Sequence, residues 1–114
     1  MIAHLVLFRP RPNLSDEDRR ALAGAFTVAL REIPSIRRAR IGRRVTHGRP
    51  YEALMHVHYE YAAMLEFDDV AGLKSYLEHP AHDALAARFF ATFEEALMYD
   101  VDLKEGEEGL ADLR

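Results

Sequence analysis

The sequence predicts an α+β fold, a four-stranded antiparallel sheet with helices on one face. Three observations carry that prediction. The chain opens on a short apolar run, Ile2-Ala3-His4-Leu5-Val6-Leu7-Phe8, stopped by Pro10 and Pro12. A stretch with apolar residues at helical spacing follows. The second half places strand-like runs on either side of a second helical region. The order strand, helix, strand, strand, helix, strand is the split βαβ, ferredoxin-like arrangement βαββαβ. Right-handed crossovers then put both helical layers on the same side of the sheet.

The opening run contains β-branched and aromatic residues and reads as a strand buried on both faces. Ile2, His4, Val6 and Phe8 share one face, and Ala3, Leu5 and Leu7 share the other. His4 is polar in apolar company, so once buried it needs a partner or a ligand. Ser15 suits a helix N-cap, and Asp16, Glu17 and Asp18 suit the positive end of the helix dipole. Leu22, Phe26, Ala29, Leu30 and Ile33 then recur at helical spacing, which predicts a helix from about Ser15 to Glu32, ended by Pro34. Arg19, Arg20 and Arg31 take other positions. Ile36 to Val45 reads as a second strand carrying Arg37, Arg38, Arg40, Arg43 and Arg44. A charged edge that resists sheet-to-sheet association explains these arginines better than a phosphate site, because Gly42 stands alone.

Residues 46–60 open with loop chemistry, and a short helix can start after Pro50. A lid over a pocket is expected here. His56 and His58 would point the same way on a strand. No nearby set completes four ligands, so no metal is expected. Tyr61 to Phe67 is the third strand, with Tyr61, Ala63, Leu65 and Phe67 on one face. Asp68 or Asp69 caps the next helix.

Ser75 to Leu85 concentrates the unusual chemistry. Pro80 has no N–H and biases His79 away from the α region, so a helix stops near Glu78. Proline is at home in the first helical position, so a second helix starts at once with His79 as N-cap. His82, Leu85 and Phe89 then share an apolar, inward face. Tyr76 sits on the apolar side of the preceding turn with Leu73 and Leu77. The break therefore brings an imidazole and a phenol toward one interior space. A lone inward histidine also fits a hydrogen-bonded core. The second helix is expected to reach about Ala96, and Leu97 to Leu103 alternates like a half-buried strand. Lys104 to Arg114 is acidic and contains glycine, a flexible tail beyond a domain spanning residues 1–103.

At 114 residues the chain makes one domain, and its 49% apolar content is ordinary for a packed core. No run approaches the roughly 20 apolar residues of a membrane span, and no leader pattern opens the chain. The absence of cysteine excludes disulfides and thiolate metal sites. These features suggest a cytoplasmic protein. The net charge of −4 argues against nucleic acid as the main partner. The sheet face away from the helices would carry Ala3, Leu5, Leu7, Ala62 and Met64. Such a face is too apolar to stay bare, so a homodimer packed sheet against sheet is expected.

The opening Met1 to Phe8, the strand ending Leu65-Glu66-Phe67-Asp68, the His79-Pro80-Ala81-His82 element and the closing Tyr99-Asp100-Val101 resemble the stress-responsive α/β barrel (Dabb) family. The likeness runs from Met1 to about Leu103. It implies a ferredoxin-like protomer in a dimeric α+β barrel, and no single activity. The family includes the plant olivetolic acid cyclase, which closes a polyketide ring without a cofactor. That likeness implies His82 as catalytic histidine, Tyr76 as catalytic tyrosine and His4 as a pocket residue. Tyr61 stands where that enzyme has another pocket histidine.

The expected function is a cofactor-independent reaction on a small apolar carbonyl or polyketide-like compound. His82 would be the general base, near its ordinary pKa of about 6.5. Tyr76 would donate to the enolate oxygen, and His4 would orient His82 or bind the substrate. Tyr61, Phe8, Leu22, Phe26, Leu85 and Phe89 would line the pocket. The alternatives are a non-enzymatic stress or assembly protein, with His82 packed and no cavity beside it, and a monooxygenase-like or haem-degrading barrel.

Overall fold

The computed structural model describes residues 1–114. Four strands form one antiparallel sheet: β1 (Ile2–Pro10), β2 (Arg38–Arg43), β3 (Tyr61–Phe67) and β4 (Phe93–Asp102), in the spatial order β2-β3-β1-β4. The helices are α1 (Asp16–Glu32), α2 (Val70–Glu78), α3 (Pro80–Thr92) and a short α4 (Gly106–Leu110). This is the ferredoxin-like α+β fold read from the sequence.

The local signals act as their chemistry requires. Ser15 Oγ accepts from the Asp18 N–H at 3.1 Å, and Asp69 Oδ1 accepts from the Gly72 N–H at 2.8 Å. His79 caps α3, its Nδ1 accepting from the Ala81 N–H at 3.0 Å, with Pro80 in the first turn. The arginine-rich strand β2 is at one edge of the sheet, paired only with β3.

The core is built from one parity of β3 and the inner faces of the helices. Ala63, Leu65 and Phe67 pack against Ala29 and Ile33 of α1 and its cap, Leu73 and Tyr76 of α2, and Ala81 and Leu85 of α3. All of this lies on one side of the sheet. The other side carries Leu5, Leu7, Ala62 and Met64, as expected. The β1–β4 register adds Leu97, Tyr99 and Val101 opposite Leu7, Leu5 and Ala3. Leu7, Leu97 and Tyr99 are 38%, 38% and 60% exposed, so β1 is not buried on both faces within one chain.

Two further expectations change. The helix predicted to reach Ala96 ends at Thr92, and Phe93 to Ala96 belong to β4. The cause is β1, which runs on to Pro10 and captures these residues as partners, Phe8 with Ala96 and Arg9 with Glu95. A register shift between Arg9 and Pro10 absorbs the turn. Arg9 adds ion pairs to Glu94 and Glu95. Residues 46–60 contain the short helix after Pro50, a 3₁₀ turn at Pro50–Leu54, but none of them lines the cavity described below. The segment folds on itself instead. The Glu52 carboxylate accepts from the backbone N–H groups of His47 and Gly48, and Gly48 adopts φ +83°, which glycine tolerates. Beyond Asp102, the tail forms α4 and a final 3₁₀ turn at Ala111–Leu113, with Lys104 Nζ 3.4 Å from Asp112.

Candidate functional site

A cavity of about 680 Å³ lies between the sheet and the helices. Eighteen of its 24 lining residues are hydrophobic, so it suits an apolar ligand of drug-like size. All nine residues singled out from the sequence face it: His82, Tyr76, His4, Tyr61, Phe8, Leu22, Phe26, Leu85 and Phe89.

Three of its polar groups, His4, Tyr76 and His82, gather near the start of α3. The proline break turns the chain between α2 and α3, so Tyr76 and His82 meet across it. Their rings are edge to face with centroids 4.7 Å apart. His4, on the helix-facing side of β1, lies 5.8 Å from Tyr76. Phe67 backs Tyr76 at 5.3 Å. The apolar wall continues through Phe8, which stacks on Tyr61 at 5.4 Å and meets the edge of Phe89 at 5.2 Å. Tyr61 Oη accepts from Arg43 Nη2 at 2.8 Å.

His4 is not alone. Its Nδ1 is 2.7 Å from Asp100 Oδ1. An ionised carboxylate only accepts, so the His4 Nδ1 carries the hydrogen and donates, which fixes the orientation of the ring. Asp100 was not among the residues singled out. The signal was the alternation Met98, Asp100, Asp102 in the last strand, and the register that sets Asp100 opposite His4 completes it. His56 and His58 do not join the site; His58 Nδ1 pairs with Arg44 at 2.7 Å.

Burial tunes both central groups. It pushes the Tyr76 phenol up to about 12, with no charge or hydrogen bond contributing. The phenol is therefore a donor across the physiological range. Burial also lowers His82, opposed by Asp83, reinforced by His4 and opposed again by the Leu77 backbone carbonyl. A neutral imidazole is favoured. The His82 Nδ1 is buried with no hydrogen-bond partner in the chain. In an ultraviolet titration, one tyrosine is expected to stay protonated until about 12. Tyr76→Phe should remove that last step. Survival of the step in the variant would assign it elsewhere.

The family profile of the Stress Responsive A/B Barrel Domain (Dabb) matches residues 2–103. The chain belongs to this family. An uncharacterized protein from Streptomyces coelicolor is 37% identical over 97 residues, covering 82% of this chain and 93% of that protein. Among solved structures, a hydroxynitrile lyase from Passiflora edulis superposes with a TM-score of 0.77 at 17% identity, covering 92% of this chain and 94% of the lyase. A dimeric ferredoxin-like protein of unknown function from Thermobifida fusca superposes with a TM-score of 0.70 at 20% identity, covering 90% of each chain. At these identities the structural matches establish the shared fold. Within this Dabb domain no helix is long and apolar enough to cross a membrane.

Proposed function

We propose that this Dabb protein is a homodimer that binds a small apolar carbonyl compound between sheet and helices. There it catalyses proton transfer next to the carbonyl without a cofactor. The observation that carries the reading is the convergence of His82 and Tyr76 on one wall of the apolar cavity. His82 takes a proton from the carbon beside the carbonyl. The electron pair left behind moves into the carbonyl to form an enolate, and the Tyr76 hydroxyl donates to its oxygen. The enolate then attacks a second carbonyl, as in a cyclase, or is reprotonated, as in an isomerase. His4, oriented by Asp100, binds the substrate's polar end. Tyr61, Phe8, Leu22, Phe26, Leu85 and Phe89 hold its apolar body.

Two further points support it. The alternative of a non-enzymatic protein predicts His82 packed with no cavity beside it, and the cavity that reaches the ring counts against that. The fold is one that also serves a hydroxynitrile lyase. The test is a panel of apolar ketones and polyketide-like compounds with the wild type, His82→Ala and Tyr76→Phe. Loss of turnover in both variants is expected. Unchanged turnover in both would remove the mechanism.

The homodimer rests on the apolar sheet face and on the dimeric Thermobifida relative. Leu7 and Leu97 are register partners at the middle of that face. The wild type is expected to have twice the chain mass by light scattering. The double substitution Leu7→Lys, Leu97→Lys should halve it while retaining the circular dichroism of the fold. A wild type of single-chain mass would overturn the dimer.

A further inference from the structure

The cavity has a second polar pole. Arg19 is the one Arg, Lys, Asp or Glu among its lining residues. It is in step with Leu22, Ala23, Phe26, Thr27 and Leu30, which also line the cavity at spacings of three and four. Arg19 therefore belongs to the inward stripe of α1, although it is exposed at the mouth. It enters none of the chain's ion pairs. Asp16, Glu17 and Asp18 sit in the first turn of the same helix, yet none pairs with it. A free guanidinium beside an apolar wall is poised for an anion.

Topology fixes where this cation lies. The Arg11 N–H donates to the Thr92 carbonyl at 2.9 Å, tying the end of β1 to the end of α3. Helix α1 begins just beyond, so Arg19 shares one end of the cavity with Pro10, Leu14, Phe90 and Thr92. His4 and His82 lie earlier on β1 and α3, toward the other end. From His82 to Phe90 is eight residues of helix, about 12 Å at ~1.5 Å per residue. Between the poles the wall is Phe8, Phe26, Leu85, Ala86 and Phe89. Tyr61 lies opposite Phe8 in the sheet, and Arg43 on its hydroxyl adds positive charge on that flank.

We infer that the ligand is amphipathic and two-headed: a carbonyl meets His82 and Tyr76, and a carboxylate at the opposite end of the cavity, about 12 Å along α3 from His82, is held by Arg19. The inference rests on the binding site proposed above and narrows its substrate class to medium-chain oxo acids. An Arg–carboxylate contact is charge-assisted and can be bidentate, and the neighbouring apolar wall strengthens it over the same contact in open water.

Calorimetric titration with decanoate and with decan-1-ol tests it, because the two share length and differ in charge. Wild type is expected to bind decanoate about tenfold more tightly than the alcohol, roughly 1.4 kcal/mol. Arg19→Gln should erase that preference and leave the affinity for the alcohol unchanged. Arg20→Gln, on the outward side of the same helix, should keep it. Arg19 is exposed, so the variant should melt with the wild type. Equal binding of acid and alcohol by the wild type would overturn the anionic pole while leaving the apolar cavity intact. Persistence of the preference in Arg19→Gln would overturn it as well. Failure of both compounds to bind would overturn the cavity reading itself.

Discussion

Replacing His82 by Gln is expected to lower turnover of the carbonyl substrate by about 10²–10⁴-fold, the range lost with a positioned general base. Glutamine keeps a polar group of similar reach but cannot take up the proton. The pH profile gives a second signature. Burial lowers the His82 pKa below its ordinary 6.5, so the neutral base persists into mildly acid solution. Activity should fall only as pH drops through that lowered value, placing the acid limb below 6.5. Stability follows the same sign. The unfolded histidine binds a proton more readily than the folded one, so this contribution is fully present above 6.5 and is lost as pH falls through the lowered folded value. His82→Gln should therefore unfold less readily in acid than the wild type, relative to each protein at neutral pH. An acid limb above 6.5, or a variant with wild-type turnover, would contradict the assignment.

Phe67→Ala is expected to cost about 3–5 kcal/mol of stability, read by chemical denaturation. Phe67 is fully buried at the centre of the core. A domain of this size has about 5–15 kcal/mol in total, so much of its margin would go. The effect should reach the site, because Phe67 is the ring behind Tyr76. A cavity there would let the phenol move away from His82. Phe67→Leu restores part of the volume and should cost less than Phe67→Ala. A loss under about 1 kcal/mol for the alanine variant would mean that the core closes around the gap.

The centre of the site was legible because proline chemistry is local. Pro80 cannot continue a helix and can begin one, so His79, His82 and Tyr76 could be placed without tertiary information. Tyr61, Ala63, Leu65 and Phe67 were legible from strand alternation. What escaped depends on partners far away in sequence. Phe89 and Phe93 have helical spacing, but the length of β1 turns Phe93 into a strand residue. Asp100 was assigned only to an alternating strand. The register with β1 decides that it, rather than Tyr99, shares a face with His4. Arg19 looked like an ordinary polar position on an amphipathic helix. Only the opening of the cavity along α1 gives it a role. The 46–60 segment has the length and histidines of a lid, but its polar groups satisfy one another away from the cavity.

The most direct measurement needs no knowledge of the natural substrate. Decan-2-one in deuterated buffer exchanges the hydrogens beside its carbonyl slowly, and proton magnetic resonance follows the loss of their signal. With wild-type protein the exchange should accelerate well above buffer, and with His82→Gln it should return to the buffer rate. A ketone that binds in the cavity yet exchanges no faster than in buffer would contradict proton abstraction by His82.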